Sequence, residues 1–216
     1  FNSPLPEFAP ANLFSDLNLP EITIVLPQPG SATPDQVAMP IAQALREFAP
    51  GRVSRRYGIS HAFERHWICP ALDQNREQMV PMEQFAGLDP LGDWQISVAG
   101  SARQVPVYRP RILEVQPPPG TVVDTSNARL RWQSQLVARE AGLVLEPPRG
   151  SPWTPLIEDV RFYSHEGICP IEVRRMALGS DAGIRFRDGS TQVKEFIFEV
   201  GEEAAALGFS LAVDAM

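Results

Sequence analysis

The stretch that decides the fold class is 183–200, GIRFRDGSTQVKEFIFEV. Two apolar runs, 183–186 and 193–200, lie on either side of the pair Asp188-Gly189. An Asp-Gly pair between two such runs is a strong signal for a tight β-hairpin. Further short apolar runs separated by turn residues fill the rest of this half of the chain, so we expect a meander of antiparallel strands.

The neighbouring segments extend this pattern. The stretch from 129 to 137 alternates apolar and polar residues, and the other predicted strands lie at 142–145, 160–163, 171–177 and 207–213. A turn is expected at Gly179-Ser180-Asp181, and one short helical turn is expected between 202 and 207.

Apart from that turn, helices are predicted only near the N-terminal third, after a strand at 21–26, EITIVL. Thr33 and Pro34 have the form of a helix start, and the apolar residues that follow recur at helical spacing up to Phe48. Pro40 would either kink this helix or restart it one turn later. A second short helix is predicted within 73–86 and is broken at Pro81.

Two more strands are predicted at 94–98 and 105–115. Pro106 and Pro110 interrupt the second of them, which predicts an edge or bulged strand. The run 116–120, QPPPG, is the clearest break in the chain. We therefore predict three parts and an α+β, strand-dominated fold, an antiparallel meander or barrel-like module with one or two short helices near the N-terminal third. The parts are a proline-rich extended arm (1–32), a mixed helix and strand subdomain (33–116) and a β-rich subdomain (117–216).

Composition indicates a globular chain of 216 residues with a hydrophobic fraction of 44% and a formal net charge of −7. This acidity excludes a molecule that attracts nucleic acid through its overall charge. Of the 19 basic residues only Lys194 is a lysine, and local groups of arginines can still bind anions. No signal peptide or membrane-spanning run is evident, so we expect a cytoplasmic protein, and the start at Phe1 suggests a segment of a longer chain.

Positive charge and aromatic side chains are concentrated in 43–67, QALREFAPGRVSRRYGISHAFERHW. The arginines could neutralise phosphates while an aromatic ring stacks on an unpaired base. The alternative is an internal cluster of salt bridges to Glu47 and Glu64, with the aromatic rings in the core. Two arginine pairs at strand spacing, 129 with 131 and 185 with 187, could extend the same patch. The candidate nucleic-acid contacts are Arg52, Arg55, Arg56, Tyr57, Arg65 and Trp67.

Histidine and cysteine form two similar groups about a hundred residues apart. The cysteine of each group lies in an Ile-Cys-Pro sequence, at 68–70 and at 168–170. Brought together, they would offer nitrogen and sulfur ligands for zinc, although the spacing is not that of a paired zinc site. No orienting group or oxyanion hole for a catalytic Cys–His pair is evident, so we predict no catalytic residue. The candidate metal ligands are His61, His66, Cys69, His165 and Cys169.

Three patches resemble the C-terminal accessory region of bacterial DEAD/DEAH-box superfamily 2 helicases of anti-phage defence systems (DISARM, Druantia and Dpd types). They are ALREFAPG at 44–51, EVRRMALG at 172–179 and AALGFSLAVDAM at 205–216. Many members carry a four-cysteine zinc cluster, whereas this chain has only Cys69 and Cys169. The nucleotide-binding motifs of the motor are also not present in this sequence.

The resemblance implies a non-motor module of a larger defence-associated helicase that binds or guides nucleic acid and docks on the motor. The expected partners are DNA and the helicase motor or a subunit of the defence complex, with no membrane. No cofactor is expected in this segment, since ATP and magnesium would bind the parent motor. The alternative is a structural protein–protein interaction module that does not contact nucleic acid. An enzyme built on Glu64, His66 and Cys69 is a third, weaker hypothesis.

Overall fold

A computed structural model of the chain describes residues 20–30, 33–58, 63–69, 72–98, 101–138, 140–146, 149–150, 152, 154–157, 159–163 and 171–213. Strands dominate these residues, and one α-helix, α1 (Ile41–Glu47), lies in the N-terminal third. The predicted α+β class with a majority of strands is therefore confirmed. No helix in the described ranges is both long enough and apolar enough to cross a membrane.

The strands vary from two to fifteen residues in length, and two short 3-10 turns, Met82–Gln84 and Thr154–Leu156, lie between them. In chain order the strands are β1 (Glu21–Leu26), β2 (Asp35–Pro40), β3 (Val53–Ser54), β4 (His66–Trp67), β5 (Glu77–Pro81), β6 (Ala86–Val98), β7 (Ser101–Glu114), β8 (Asn127–Ala138), β9 (Leu143–Leu145), β10 (Val160–Phe162), β11 (Ile171–Arg185), β12 (Thr191–Val200), β13 (Glu203–Ala204) and β14 (Ala206–Val213).

Ten strands form one mixed sheet with the order β13-β12-β11-β14-β7-β1-β2, to which β5 adds beside β12, β6 beside β7 and β8 beside β11. Antiparallel pairs include β1–β2, β6–β7 and β11–β12. Parallel pairs include β1–β7, β14–β7 and β5–β12. The sheet is therefore more complex than the predicted meander, because parallel pairs join segments far apart in sequence.

The chain forms two compact units. The larger contains 20–133 with Arg175–Phe209, and the smaller contains Ser134–Arg174 with 210–213. The core of the larger unit is made of fully buried aliphatic and aromatic side chains, among them Ile24, Phe196 and Phe198. Because β5 pairs with β12, one sheet holds segments from both sides of residue 116. The three-part division of the chain stays a prediction.

The helix predicted from Thr33 to Phe48 is wrong in its first half, where β2 pairs with β1 from Leu26↔Asp35 to Glu21↔Pro40. Pro40 explains the change, because it restricts the residue before it to extended conformations and cannot donate a backbone hydrogen bond within a helix. The helix begins directly after it at Ile41. Pro40 thus ends a strand and starts a helix, instead of kinking one.

The helix predicted within 73–86 is also wrong, because Glu77–Pro81 is β5. Pro81 again ends the strand, and only the 3-10 turn Met82–Gln84 follows it. The helical turn predicted between 202 and 207 is replaced by the short strand β13 and the start of β14. In each case a backbone partner in the sheet outweighs the local helical pattern.

The predicted hairpin at Asp188-Gly189 is confirmed, because it joins β11 to β12 and Asp188 Oδ1 accepts the Ser190 N–H at 2.8 Å. The turn predicted at 179–181 is not formed, since β11 runs through it and Gly179 pairs with Ile197. A Cβ at Gly179 would lie 1.8 Å from the Phe196 carbonyl oxygen. Glycine is therefore needed there for close approach of the two strands.

Strand β7 is bulged, as predicted, but it is not an edge strand. It pairs with β6 along one side and with β1 and β14 along the other. The β6–β7 register shifts at two places, between Gly87 and Leu88 and between Pro90 and Gly92. These irregularities lie close to the β7 prolines and accommodate residues that cannot donate to the ladder.

Candidate anion-binding site

Helix α1 and the turn after it form one wall of a cavity in the larger unit. The helix buries Ile41, Ala44 and Leu45, so its opposite face is left toward solvent. The Phe48 N–H donates to the Ala44 carbonyl at 2.8 Å and closes the last turn. The sequence Pro50-Gly51 then turns the chain away from the helix axis.

Two hydrogen bonds and one glycine fix this turn. The Ser180 hydroxyl donates to the Pro50 carbonyl at 3.0 Å, and the Gly51 N–H donates to the Ile68 carbonyl at 2.7 Å. Gly51 has a φ of +93°, and a Cβ there would lie 2.5 Å from the Ala182 Cβ. Only glycine meets both the conformation and the space, so the start of the next segment is held firmly.

Arg52 leaves this turn and reaches back to the helix end. Its Nη1 donates to the Arg46 carbonyl at 3.2 Å, and its Nη2 lies 3.6 Å from Glu47 Oε2. A cation at this end of a helix interacts favourably with the free carbonyls. The second oxygen of Glu47 accepts the Ser54 hydroxyl at 2.5 Å. Arg52 is therefore placed by the helix and only partly neutralised.

The cavity itself has a volume of about 470 Å³. Its walls come from α1, from the segment after the Pro50-Gly51 turn, from β8 and from β11. Four of the lining residues are arginines, and no carboxylate belongs to the lining in the part of the chain that the structure describes. The lining residues are Ala42, Arg46, Arg52, Asn127, Ala128, Arg129, Leu130, Trp132 and Arg175.

The charge of these arginines is largely unbalanced. Neither Arg46, Arg129 nor Arg175 forms an ion pair with a carboxylate among the described residues, and Arg52 has only the 3.6 Å contact with Glu47. Most arginines elsewhere in the described ranges are paired with Asp or Glu, as at Asp89 and Asp181. Several guanidinium groups facing one cavity repel each other, and an anion bound between them would relieve that repulsion.

Arg175 and Trp132 both line the cavity and contact each other. The Arg175 Cζ lies 4.7 Å from the centroid of the Trp132 ring, a distance typical of a cation–π contact. The Trp132 ring meets Phe209 edge-on, with centroids 6.0 Å apart. The Arg175 Nε is buried and donates to no described residue. Because stacking uses the face of the guanidinium, its in-plane N–H donors remain able to bind an acceptor.

The predicted arginine and aromatic residues divide between different environments. Arg52 lines the cavity, as just described. Arg65 instead donates to the Val122 carbonyl at 2.7 Å and to Asp124 Oδ1 at 3.1 Å, with 20% of its side chain exposed. Arg55 meets the second oxygen of the same Asp124 at 3.2 Å. The internal alternative therefore describes Arg55 and Arg65, with Asp124 in place of the predicted Glu64.

The aromatic candidates are mostly committed to packing. Trp67 is only 5% exposed and its backbone pairs with Gln116 on one side and Val53 on the other. Its ring is thus a core group and is not available to stack on a base. Tyr57 stacks on Phe48 with centroids 6.2 Å apart, and the Arg56 guanidinium lies 5.9 Å from the Tyr57 centroid.

Of the two arginine pairs predicted at strand spacing, only Arg129 reaches the cavity. Arg131 pairs with Asp181 at 2.6 Å and donates to the Phe196 carbonyl at 2.8 Å. Sequence reasoning missed Arg46, Trp132 and Arg175 as members of one site. The available signal was weak, since Arg46 lies in the last turn of a predicted helix and the other two lie on predicted strands.

Among the predicted metal ligands, only His66 and Cys69 can be placed, because His61, His165 and Cys169 lie outside the described residues. His66 is fully buried in β4. Burial raises the pKa of the Cys69 thiol to about 12, with Lys194 opposing the shift, so the thiol is protonated at neutral pH and is a poor nucleophile. No group of three or more His, Cys, Asp or Glu able to hold a metal ion occurs in the described ranges.

Comparison of the chain with protein-family models, with curated proteins and with solved structures gives no match.

Proposed function

We propose that this chain is a non-motor accessory module that binds nucleic acid through the arginine-lined cavity beside α1. The observation that supports this most is that Arg46, Arg129 and Arg175 line one cavity and form no ion pair with a carboxylate among the described residues. Phosphate is the anion that arginine binds best in bidentate geometry. The resemblance to helicase-associated regions would place such a module beside a DNA-translocating motor.

The overall acidity of the chain does not oppose this role. A net charge of −7 is spread over the whole surface. Arg46, Arg129 and Arg175 would instead act within a few ångströms of a phosphate bound in the cavity. The Arg56 side chain is exposed, with its guanidinium 5.9 Å from the Tyr57 centroid, so it can add to the same binding. In this proposal Arg55, Arg65 and Trp67 serve the fold, and the binding set consists of Arg46, Arg52, Arg129 and Arg175.

The test is a fluorescence-anisotropy titration of the chain with single- and double-stranded DNA over a range of salt concentrations. Three phosphate contacts on a single strand predict a slope of log affinity against log salt of about −2. Arg46→Gln/Arg129→Gln should lower both the affinity and the slope. Binding that does not change with salt, or no binding by a folded protein at low salt, would refute the proposal.

A second function is favoured by exposed apolar side chains in the smaller unit. Leu136, Val144 and Leu156 are each more than 60% exposed, and Phe162 is 55% exposed. Large apolar side chains in such positions are typical of protein–protein contacts. A structural module that docks on a helicase motor through these residues would bind its partner with little dependence on salt, which distinguishes it from phosphate binding.

A further inference from the structure

The volume of the arginine-lined cavity indicates what kind of anion it can bind. Proteins that track a continuous nucleic-acid backbone do so along an open, positively charged groove. Here the arginines come from a helix, a turn and two strands, and they converge on one cavity of about 470 Å³. That volume lies in the range of sites for small molecules, roughly 300–1,000 Å³.

We propose that the cavity binds a terminal phosphate group on a nucleotide, either the 5′-phosphorylated end of a strand or a free nucleoside monophosphate. This inference rests on the proposed function, because it uses the same arginines. It differs in naming a phosphomonoester as the ligand, in place of the phosphodiesters inside a strand.

Charge and geometry both favour the monoester. A phosphate monoester carries about −1.5 to −2 charges near neutral pH and exposes three acceptor oxygens, whereas each internal phosphodiester carries one charge. Arg46, Arg129 and Arg175 supply three positive charges that form no ion pair with a carboxylate among the described residues. A terminal group with three free oxygens can accept from several converging guanidinium ions, which a phosphate within a chain does less well.

The remaining lining suits the nucleoside attached to that phosphate. Ala42 and Leu130 give the cavity an apolar wall, and Asn127 adds an amide that can both donate and accept. Trp132 lies beside them, but one side of its ring is used by Arg175. The nucleoside would thus be held by apolar contact with a small number of polar groups, as is common in ligand sites.

The experiment uses the whole chain and two short oligonucleotides of identical sequence with a 3′ fluorophore, one with a 5′-phosphate and one with a 5′-hydroxyl. Anisotropy gives the two affinities, and calorimetry gives the binding of adenosine monophosphate and of adenosine. The variants are Arg129→Gln and, as an exposed arginine outside the cavity, Arg187→Gln. Circular dichroism and the urea midpoint of each variant establish that it is folded.

We expect the phosphorylated oligonucleotide to bind about tenfold more tightly than its hydroxyl counterpart, as one charge-assisted contact would give. The difference should vanish in Arg129→Gln and persist in Arg187→Gln. Equal affinities for the two oligonucleotides, both weakened by Arg129→Gln, would overturn the monoester inference and leave the proposed function standing.

Other outcomes separate the two proposals in the opposite direction. Binding of adenosine monophosphate but not adenosine, with neither oligonucleotide bound, would support the monoester site and overturn the nucleic-acid function. If neither nucleotide nor oligonucleotide binds to the folded chain, both proposals are overturned.

Discussion

Two groups of arginines in the larger unit have different structural environments. Arg55 and Arg65 share Asp124, and Arg65 also donates to the Val122 carbonyl. The cavity group of Arg46, Arg129 and Arg175 lacks carboxylate partners among the described residues. Local arginine density in a sequence therefore does not identify a binding surface. The positions of the carboxylates in the fold decide which arginines can bind an external anion.

The energetic roles of the two groups should differ accordingly. A partly buried guanidinium with hydrogen bonds to a carboxylate and a carbonyl contributes to stability, and its loss leaves those acceptors unsatisfied. Guanidinium ions that line one cavity and lack carboxylate partners gain no ion-pair energy from the protein. They are expected to be neutral or slightly unfavourable for folding, and their value lies in the bound state.

The largest effect is expected at Trp67, which tests whether the stretch 52–67 is a surface or part of the core. Trp67→Ala should lower the free energy of unfolding by about 3–5 kcal/mol, because it removes a buried aromatic side chain. Urea denaturation measures this, with Val193→Ala, 59% exposed, as a control expected to stay within about 0.5 kcal/mol of the parent. Unchanged stability together with weaker DNA binding would return Trp67 to the binding surface.

A smaller loss of stability is expected from Gly51→Ala, which disturbs the turn beneath the cavity. The alanine must adopt a φ near +93° and its Cβ would meet Ala182 at 2.5 Å, so we expect a loss of about 3 kcal/mol. Urea denaturation again gives the value. Gly120→Ala, where a Cβ meets no atom within 4 Å and φ is not positive, is the matched control. Equal midpoints for the two variants would contradict the tight turn.

The third prediction compares one arginine from each group directly. Arg65→Gln should destabilise the fold by about 1–2 kcal/mol, since Asp124 and the Val122 carbonyl lose a charged donor. Arg129→Gln should change stability by less than about 0.5 kcal/mol, because its charge is not paired among the described residues. The two urea midpoints decide the matter, and the reverse order would mean that the groups are wrongly assigned.

The smallest effect concerns the ion pair between Asp73 and Lys194, the single lysine of the sequence. Lys194 is 2% exposed and donates to Asp73 Oδ1 at 3.1 Å. It also donates to the carbonyls of Asp73 and Asn75. The hydrogen bond from Lys194 to the Asp73 carboxylate, with that of the Asn75 backbone N–H, lowers the pKa of Asp73. A carboxyl whose pKa is lower in the folded state stabilises the fold above its unfolded pKa of about 4, and this contribution is lost as the pH falls through the folded value.

We therefore expect Asp73→Asn to be less stable than the parent at pH 7, with the difference shrinking as the pH falls below about 4. Urea midpoints measured from pH 7 to pH 3 follow this change. In a Lys194→Met background the effect of Asp73→Asn should be smaller, since the main cause of the lowered pKa is gone. A difference between parent and variant that stays constant across this pH range would show that Asp73 does not titrate as described.

Much of the fold could be predicted from the sequence where local signals and tertiary pairing agree. The Asp188-Gly189 hairpin is one such place, because turn chemistry and strand alternation both point to the same structure. The failures lie at 33–40 and 73–81, where apolar residues at helical spacing belong to strands. There the proline at the end of each segment was the better signal, because the helical spacing of apolar residues does not reveal a strand partner such as β1 or β12.

The candidate site could be predicted only in part. Arg52 and Arg129 were visible as members of arginine-rich patterns, but their common cavity depends on how the fold brings residues of α1, β8 and β11 together. Asp124 was not expected as a partner, since it is 59 residues from Arg65 in sequence. Ion pairing over such distances is set by the tertiary fold, so the sequence alone could not separate paired from unpaired arginines.

The proposal that DNA binds to the cavity arginines is tested most directly by comparing two double variants under one low-salt condition. Anisotropy with a single-stranded oligonucleotide would be measured for the parent, for Arg46→Gln/Arg129→Gln and for Arg55→Gln/Arg65→Gln, each shown to be folded at the temperature used. Both variants lose two positive charges, so their net charges are equal. We expect a loss of affinity of about tenfold or more only for Arg46→Gln/Arg129→Gln. An equal loss in both variants, or a larger loss for Arg55→Gln/Arg65→Gln, would contradict binding at the cavity.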